Sequence, residues 1–190
     1  MNNICMYGSY TDYIPLLKEY KGGSFLDVGG NNGKAEAYAE GFKYFVLELS
    51  QPKHPHENTI IGDICNCQEI KDDSYDVVYS NDVFEHLLEP WSAAEHIIRI
   101  CKPGGLIITS TVFSWRFHPV PVDTFRYTHQ GLEYLFTRTG KVQSLISKYD
   151  IRKRRKDSRG KGEFDLPPID ELGGWRENWK VLYVCKKNKQ

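Results

Sequence analysis

Apolar residues recur at Tyr13, Leu16, Leu17 and Tyr20, a spacing that predicts a helix over 9–20. Gly22-Gly23 ends it. Ser24 to Val28 then reads as a short buried strand, Gly29 to Gly33 as a turn, and Lys34 to Glu40 as a helix stopped by Gly41. Strands are predicted at Tyr44–Leu47, Thr59–Ile61 and Tyr75–Tyr79. Pro90 to Cys101 is a helix with Trp91, Ala94, Ile97, Ile98 and Cys101 on one stripe, terminated by Lys102-Pro103-Gly104-Gly105. A strand at Leu106–Val112 and a helix beginning over Gly131–Phe136 follow. Val142–Ile151 and Val181–Cys185 are the last two predicted strands.

Strands alternating with helices imply an α/β fold, a parallel sheet with helices on both faces. Two closing strands joined by a long polar stretch suggest an antiparallel edge hairpin. That stretch, Arg152 to Lys180, is too long for a plain connection and reads as a functional or disordered loop. No repeat or low-complexity tract interrupts the pattern.

The 190 residues suit a single domain over 1–190, with 152–180 a basic and polar loop within it. Lys plus Arg and Asp plus Glu both number 25, which excludes a globally basic nucleic-acid binder. The charge is uneven: residues 151–190 hold 12 basic against 6 acidic side chains. No apolar run reaches the ~18 residues of a membrane helix, and Met1–Tyr10 lacks a signal pattern. Cys5, Cys65, Cys67, Cys101 and Cys185 form an odd, scattered set, which fits a reducing cytoplasm. Cys65-Asn66-Cys67 lacks a second metal-binding pair and reads as structural.

The candidate chemistry starts at Asp27-Val28-Gly29-Gly30-Asn31-Asn32-Gly33, between a strand and a helix. Glycines there let a ligand approach the backbone, and a helix start offers free N–H groups. Glu48 ends the second strand 21 residues after Asp27, where nucleotide-binding sheets place the acid that meets a ribose. Gly62-Asp63 ends the third strand and Asn81-Asp82 follows the fourth. Taken singly, Asp27 also suits a helix cap and Glu48 a solvated strand end.

This series, with Ser74-Tyr75-Asp76-Val77-Val78-Tyr79-Ser80 and Lys102-Pro103-Gly104-Gly105, resembles the class I S-adenosylmethionine (SAM) methyltransferases of the type 11 group, over roughly residues 24–136. The resemblance implies a Rossmann-like, seven-stranded, mostly parallel sheet. It implies that Gly29, Gly30, Asn31 and Gly33 let the chain pass the methionine part of SAM, and that Asp27 organises the turn and the SAM amino group. Glu48 would take the ribose hydroxyls, with Leu49 after it also in the cofactor site, Asp63 and Ile64 would meet the adenine, and Asn81 the amino acid end. Asn31 stands where the family has a glycine, and Asn tolerates positive φ.

The sulfonium makes the methyl electrophilic, so the enzyme aligns an acceptor and handles its proton. An aliphatic hydroxyl needs a base or a metal for this at neutral pH. Asp82-Val83-Phe84-Glu85-His86, read as a helix, projects Asp82, Glu85 and His86 from one side. The run is similar to the Glu-x-x-Glu-His element of metal-dependent O-methyltransferases acting in ubiquinone synthesis and on small-RNA 3′ ends. That similarity implies Asp82, Glu85 and His86 as ligands of Mg2+ or Mn2+. In other type 11 enzymes the Glu-His pair packs near SAM without a metal. His86 itself is also a candidate base.

Arg116 to Thr128 leaves the fifth strand and should overhang the transferred methyl. Within it His118 is a general base, a further ligand or a packing histidine; Asp123 is a base, a ligand or a partner of Arg126. Pro121-Val122-Asp123-Thr124-Phe125-Arg126-Tyr127-Thr128 is similar to a run in type 11 enzymes associated with polysaccharide and glycan genes. Arg152-Lys153-Arg154-Arg155-Lys156 suits an anionic partner or a solvated loop, and Trp175 and Trp179 suit stacking or sheet cover. The expected activity is SAM-dependent O-methylation of a sugar or polyol hydroxyl with metal assistance. The alternatives are a metal-free small-molecule methyltransferase, an RNA 2′-O-methyltransferase, and a silent binding subunit.

Overall fold

The computed structural model describes residues 9, 11–30, 35–115, 117–151 and 179–189. Asn31, Gly33, Arg116, the 152–156 basic run and Trp175 lie outside the described residues, as does the Trp179 side chain. Seven strands form one sheet: β1 (Ser24–Val28), β2 (Lys43–Glu48), β3 (Thr59–Ile61), β4 (Tyr75–Asn81), β5 (Cys101–Ser114), β6 (Val142–Ile151) and β7 (Trp179–Lys187). Their order is β3-β2-β1-β4-β5-β7-β6. The pairings through β5 are parallel, and β7 runs antiparallel to both β5 and β6. The expected mostly parallel sheet with an antiparallel edge hairpin is what forms.

Side-chain alternation sends each strand to two cores. On one face Leu26, Val28, Val78 and Ile107 pack against Ala94, Ile97 and Ile98 of α2 (Pro90–Ile100). Leu132 and Phe136 of α3 (His129–Thr137) complete that layer. On the other face Phe25, Val46, Val77 and Ile108 meet Tyr13, Leu17, Ala35 and Ala39. Each fully buried aliphatic or aromatic side chain contributes about 1.5–3 kcal/mol.

Four expectations change in detail. The predicted helix over 9–20 is only α1 (Ile14–Leu17) continued by a 3-10 turn, Lys18–Tyr20. The one over 34–40 is, among the described residues, a single 3-10 turn at Glu36–Tyr38. On α2 the buried stripe is Ala93, Ala94, Ile97, Ile98 and Ile100, while Trp91 faces solvent. β5 also starts earlier than its apolar run: Cys101 already pairs with Tyr75, and the ladder shifts before Val77↔Leu106. Gly105 permits this, because a Cβ there would sit 2.7 Å from Cys101 Sγ and 2.9 Å from the Asp76 carbonyl.

Asp76 pins the opposite end of the sheet. Its Oδ2 accepts from the Ser24 amide and hydroxyl and from Lys102 Nζ, each at 2.8 Å. The sheet therefore has its crossover reversal between β1 and β4, and the carboxyl ends of these strands open on one side. Ligands of doubly wound sheets bind at such a point. Among the described residues, no helix is long and apolar enough to cross a membrane.

Candidate active site

A cavity of about 210 Å3 opens at that switch point. Gly29 follows β1; Glu48 and Leu49 come from the end of β2; Gly62, Asp63 and Ile64 follow β3. Asp82, Val83, His86, Leu87 and Pro121 close the other wall. The structure thus brings Gly29, Glu48, Leu49, Asp63 and Ile64 to one cavity together with Asp82 and His86. Asp63 also caps the Ile64–Asn66 turn, its Oδ1 accepting from the Cys65 amide at 2.8 Å.

The glycines fit a close approach. Gly29 has φ +73°, its amide donates to Leu47 at 2.8 Å, and an added Cβ would meet Val83 Cγ2 at 2.7 Å. A Cβ on Gly30 would fall 2.2 Å from the Asp27 carboxyl carbon. Asp27 lies behind this turn, 3% exposed, with Oδ2 accepting from the Tyr44 hydroxyl at 2.7 Å. Burial pushes its pKa up to about 7, against the lowering effect of the Tyr44 hydrogen bond. Tyr44 carries no sequence signal, because it sits one strand away among apolar neighbours.

The Asp82–His86 segment is not a helix. Asp82 has φ +58°, and a 3-10 turn at Phe84–His86 follows. The left-handed residue breaks the helical register, and Asp82 is not in the group that Glu85 and His86 form. Its Oδ2 instead accepts from Lys180 Nζ at 2.6 Å and from Asn81 Nδ2 at 3.1 Å. Asn81 is turned to the same lysine, so its side chain is engaged there and not at the cavity wall.

His118 replaces Asp82 beside Glu85 and His86. One ligand atom from each of Glu85, His86 and His118 lies within 4.8 Å of the others. The two imidazole rings meet edge to face at 5.0 Å. Glu85 is fully buried; Oε2 accepts from the Thr111 hydroxyl at 2.5 Å, and Oε1 has no hydrogen-bond partner among the described residues. Burial raises its pKa, and Asp82 adds to the rise. Thr124 holds the Glu85 backbone, its amide and hydroxyl both donating to the carbonyl at 2.8 Å.

Both histidines are anchored through Nδ1: His86 on the Val122 carbonyl, His118 on Asp123 Oδ2 at 3.3 Å. Anchoring one ring nitrogen on a carbonyl or carboxylate is how metal-binding histidines are oriented. Asp123 is clamped bidentately by Arg126, at 2.5 and 2.7 Å, and accepts from the His118 amide at 2.8 Å. The Arg126 hydrogen bonds hold its carboxyl well below the usual range, which makes it an anchor and a poor base. Thr111 and Thr124 were missed by sequence reasoning. Thr109-Ser110-Thr111, a polar run inside an apolar strand, was the available signal.

A methyltransferase-domain family model matches residues 6–157. The chain belongs to that methyltransferase family. The methyltransferase is 32% identical over 97 residues to an uncharacterized methyltransferase of Mycolicibacterium vanbaalenii, covering 46% of this chain and 38% of the relative. It is 32% identical over 104 residues to another from Mycobacteroides abscessus, covering 47% of this chain and 40% of the relative. The match thus spans about two fifths of these relatives' length. Its fold is similar to that of a putative methyltransferase from Bacillus halodurans, with TM-score 0.67 and 14% identity, over 94% of this chain and 100% of that one. A SAM-dependent methyltransferase of Methanosarcina mazei gives TM-score 0.62 and 11% identity, over 93% and 98%. SAM is the methyl donor of this class. The cavity sets the Glu48 and Asp63 carboxylates beside the apolar Leu49 and Ile64.

Proposed function

We propose that this methyltransferase acts on a hydroxyl of a sugar or another polyol, assisted by a divalent cation held by Glu85, His86 and His118. The observation that carries the proposal is Glu85 Oε1, a buried carboxylate oxygen without a hydrogen-bond partner among the described residues, facing two anchored imidazoles. Such an oxygen is costly unless something charged completes it. Two nitrogens and one oxygen suit Mn2+ better than Mg2+, which prefers oxygen donors. A cation bound there lowers the pKa of a hydroxyl it meets.

The chain's own groups divide the remaining work. Thr111 fixes the Glu85 carboxylate, Thr124 fixes the Glu85 backbone, and the Arg126–Asp123 pair fixes His118. Trp115 and Phe117 stand exposed beside His118, and aromatic faces of this kind stack on sugar rings. We assign residues 1–190 to one catalytic domain working in the cytoplasm; the free state of Cys65, Cys67, Cys101 and Cys185 supports a reducing compartment.

The test is transfer of labelled methyl from SAM to a panel of sugars and polyols, with Mn2+ or with EDTA. Product that requires Mn2+ is the expected result. Product unaffected by EDTA removes the cation and leaves His118 as the residue placed to take the proton. Transfer to RNA alone, lost as salt rises, replaces the sugar acceptor.

A further inference from the structure

Lys180 lies on β7, beyond the residues matched by the family model, and takes no part in the site expected from the sequence. It is 8% exposed. A lysine is seldom this deeply buried unless its ammonium is paired. The side chain reaches across β5 to the end of β4, where Nζ donates to Asp82 Oδ2 at 2.6 Å and Asn81 Oδ1 at 3.1 Å.

The residue it grips is unusual. Asp82 is one of two non-glycine residues with positive φ among those described. A left-handed aspartate persists where its surroundings over-determine it. Here two strands do so: the Asp82 amide donates to the Ser110 carbonyl on β5 at 2.9 Å, and the carboxylate is held from β7. The consequence lies one residue on. Val83 leaves Asp82 in the direction that lays its methyl against Gly29, so the Asp82 conformation sets the gap between the two cavity walls.

We infer that Lys180 is a positioning residue for the methyl-donor site: by holding the Asp82 carboxylate it fixes the left-handed turn that places Val83 against Gly29. The role rests on the donor site alone, not on the acceptor or the cation.

The test is calorimetric titration of S-adenosylhomocysteine into the full chain, treated with chelator, with melting curves recorded alongside. Lys180→Met is expected to weaken binding at least tenfold, and Asp82→Asn similarly. The Lys180→Met/Asp82→Asn double variant should bind no more weakly than the worse single variant, because both act through one carboxylate. Lys180→Arg, which keeps a donor to Asp82, should stay within threefold of the wild type, a rescue that loss of packing does not produce. If Lys180→Met does not fold, Lys180→Arg and Asp82→Asn carry the comparison. Lys180→Met binding within twofold of the wild type, or losses that multiply in the double variant, overturns the role of Lys180 alone. Absence of binding by the wild type overturns the donor site and this role together.

Discussion

Asp27→Asn should stabilise the ligand-free protein while weakening its binding of the cofactor. Asp27 is buried, and that burial pushes its pKa up to about 7 from the usual 3.8. The folded state therefore holds a proton that the unfolded chain has already lost between these values. Stability from this group is present below pH 3.8, falls as pH rises, and levels off above 7. Between pH 5 and pH 8 the loss integrates to about 2.5 kcal/mol, given a raised pKa of about 7. Asparagine has no such titration, and its carbonyl can still accept from Tyr44. The stability difference between Asp27→Asn and wild type should therefore shift by about 2.5 kcal/mol in favour of asparagine over that range. For a chain of this size that is a relative shift in Tm of roughly 5–10 °C. Melting curves at pH 5, 6, 7 and 8 without cofactor measure it. Binding of S-adenosylhomocysteine should meanwhile fall at least about tenfold, one unit of 1.4 kcal/mol, if Asp27 meets the amino group as the resemblance implies. Parallel stability curves for the two proteins, differing by a constant across pH, would refute the argument that Asp27 is held without adequate solvation.

Gly30→Ala places a methyl 2.2 Å from the Asp27 carboxyl group and should cost about 1–3 kcal/mol in chemical denaturation, with weakened SAM binding. Glu85→Gln and His118→Ala should each abolish Mn2+ binding followed by electron paramagnetic resonance, whereas Asp82→Asn should leave that signal in place. Arg126→Met releases Asp123 and with it His118, so Mn2+ affinity should fall about 10- to 100-fold while the Tm changes little.

The strands were legible because burial on both faces writes continuous apolar runs such as Tyr44–Leu47. Their C-terminal acids could be placed from that alone, which is why Glu48 and Asp63 reach the cavity as expected. Short-range helical spacing misled twice. Over 9–20 the apolar period is real, yet a proline at Pro15 and the glycine pair leave space for barely two turns. Over 82–86 the i, i+3, i+4 spacing holds only if every residue is right-handed, and Asp82 is not. The cause lies 98 residues away, in Lys180, and no local pattern carries it. The meeting of His86 with His118 is equally non-local: it depends on the loop after β5 folding back so that Thr124 bonds Glu85.

The place of β7 in the sheet has a kinetic consequence. β6 precedes β7 in the chain but pairs only with β7, and of these two strands only β7 pairs with β5. β6 cannot join the sheet on its own; it enters only through β7, whether β7 pairs first with β5 or with β6. Until β7 pairs with it, the β5 edge carries unpaired N–H and C=O groups, the condition that invites pairing with other chains. The connection over 152–178 is closed once, in forming the β6–β7 hairpin, and each doubling of its length adds only about 0.6 kcal/mol. Its sequence can therefore lengthen or change between related proteins at little cost to assembly, while β7 itself, buried from Val181 to Cys185, cannot.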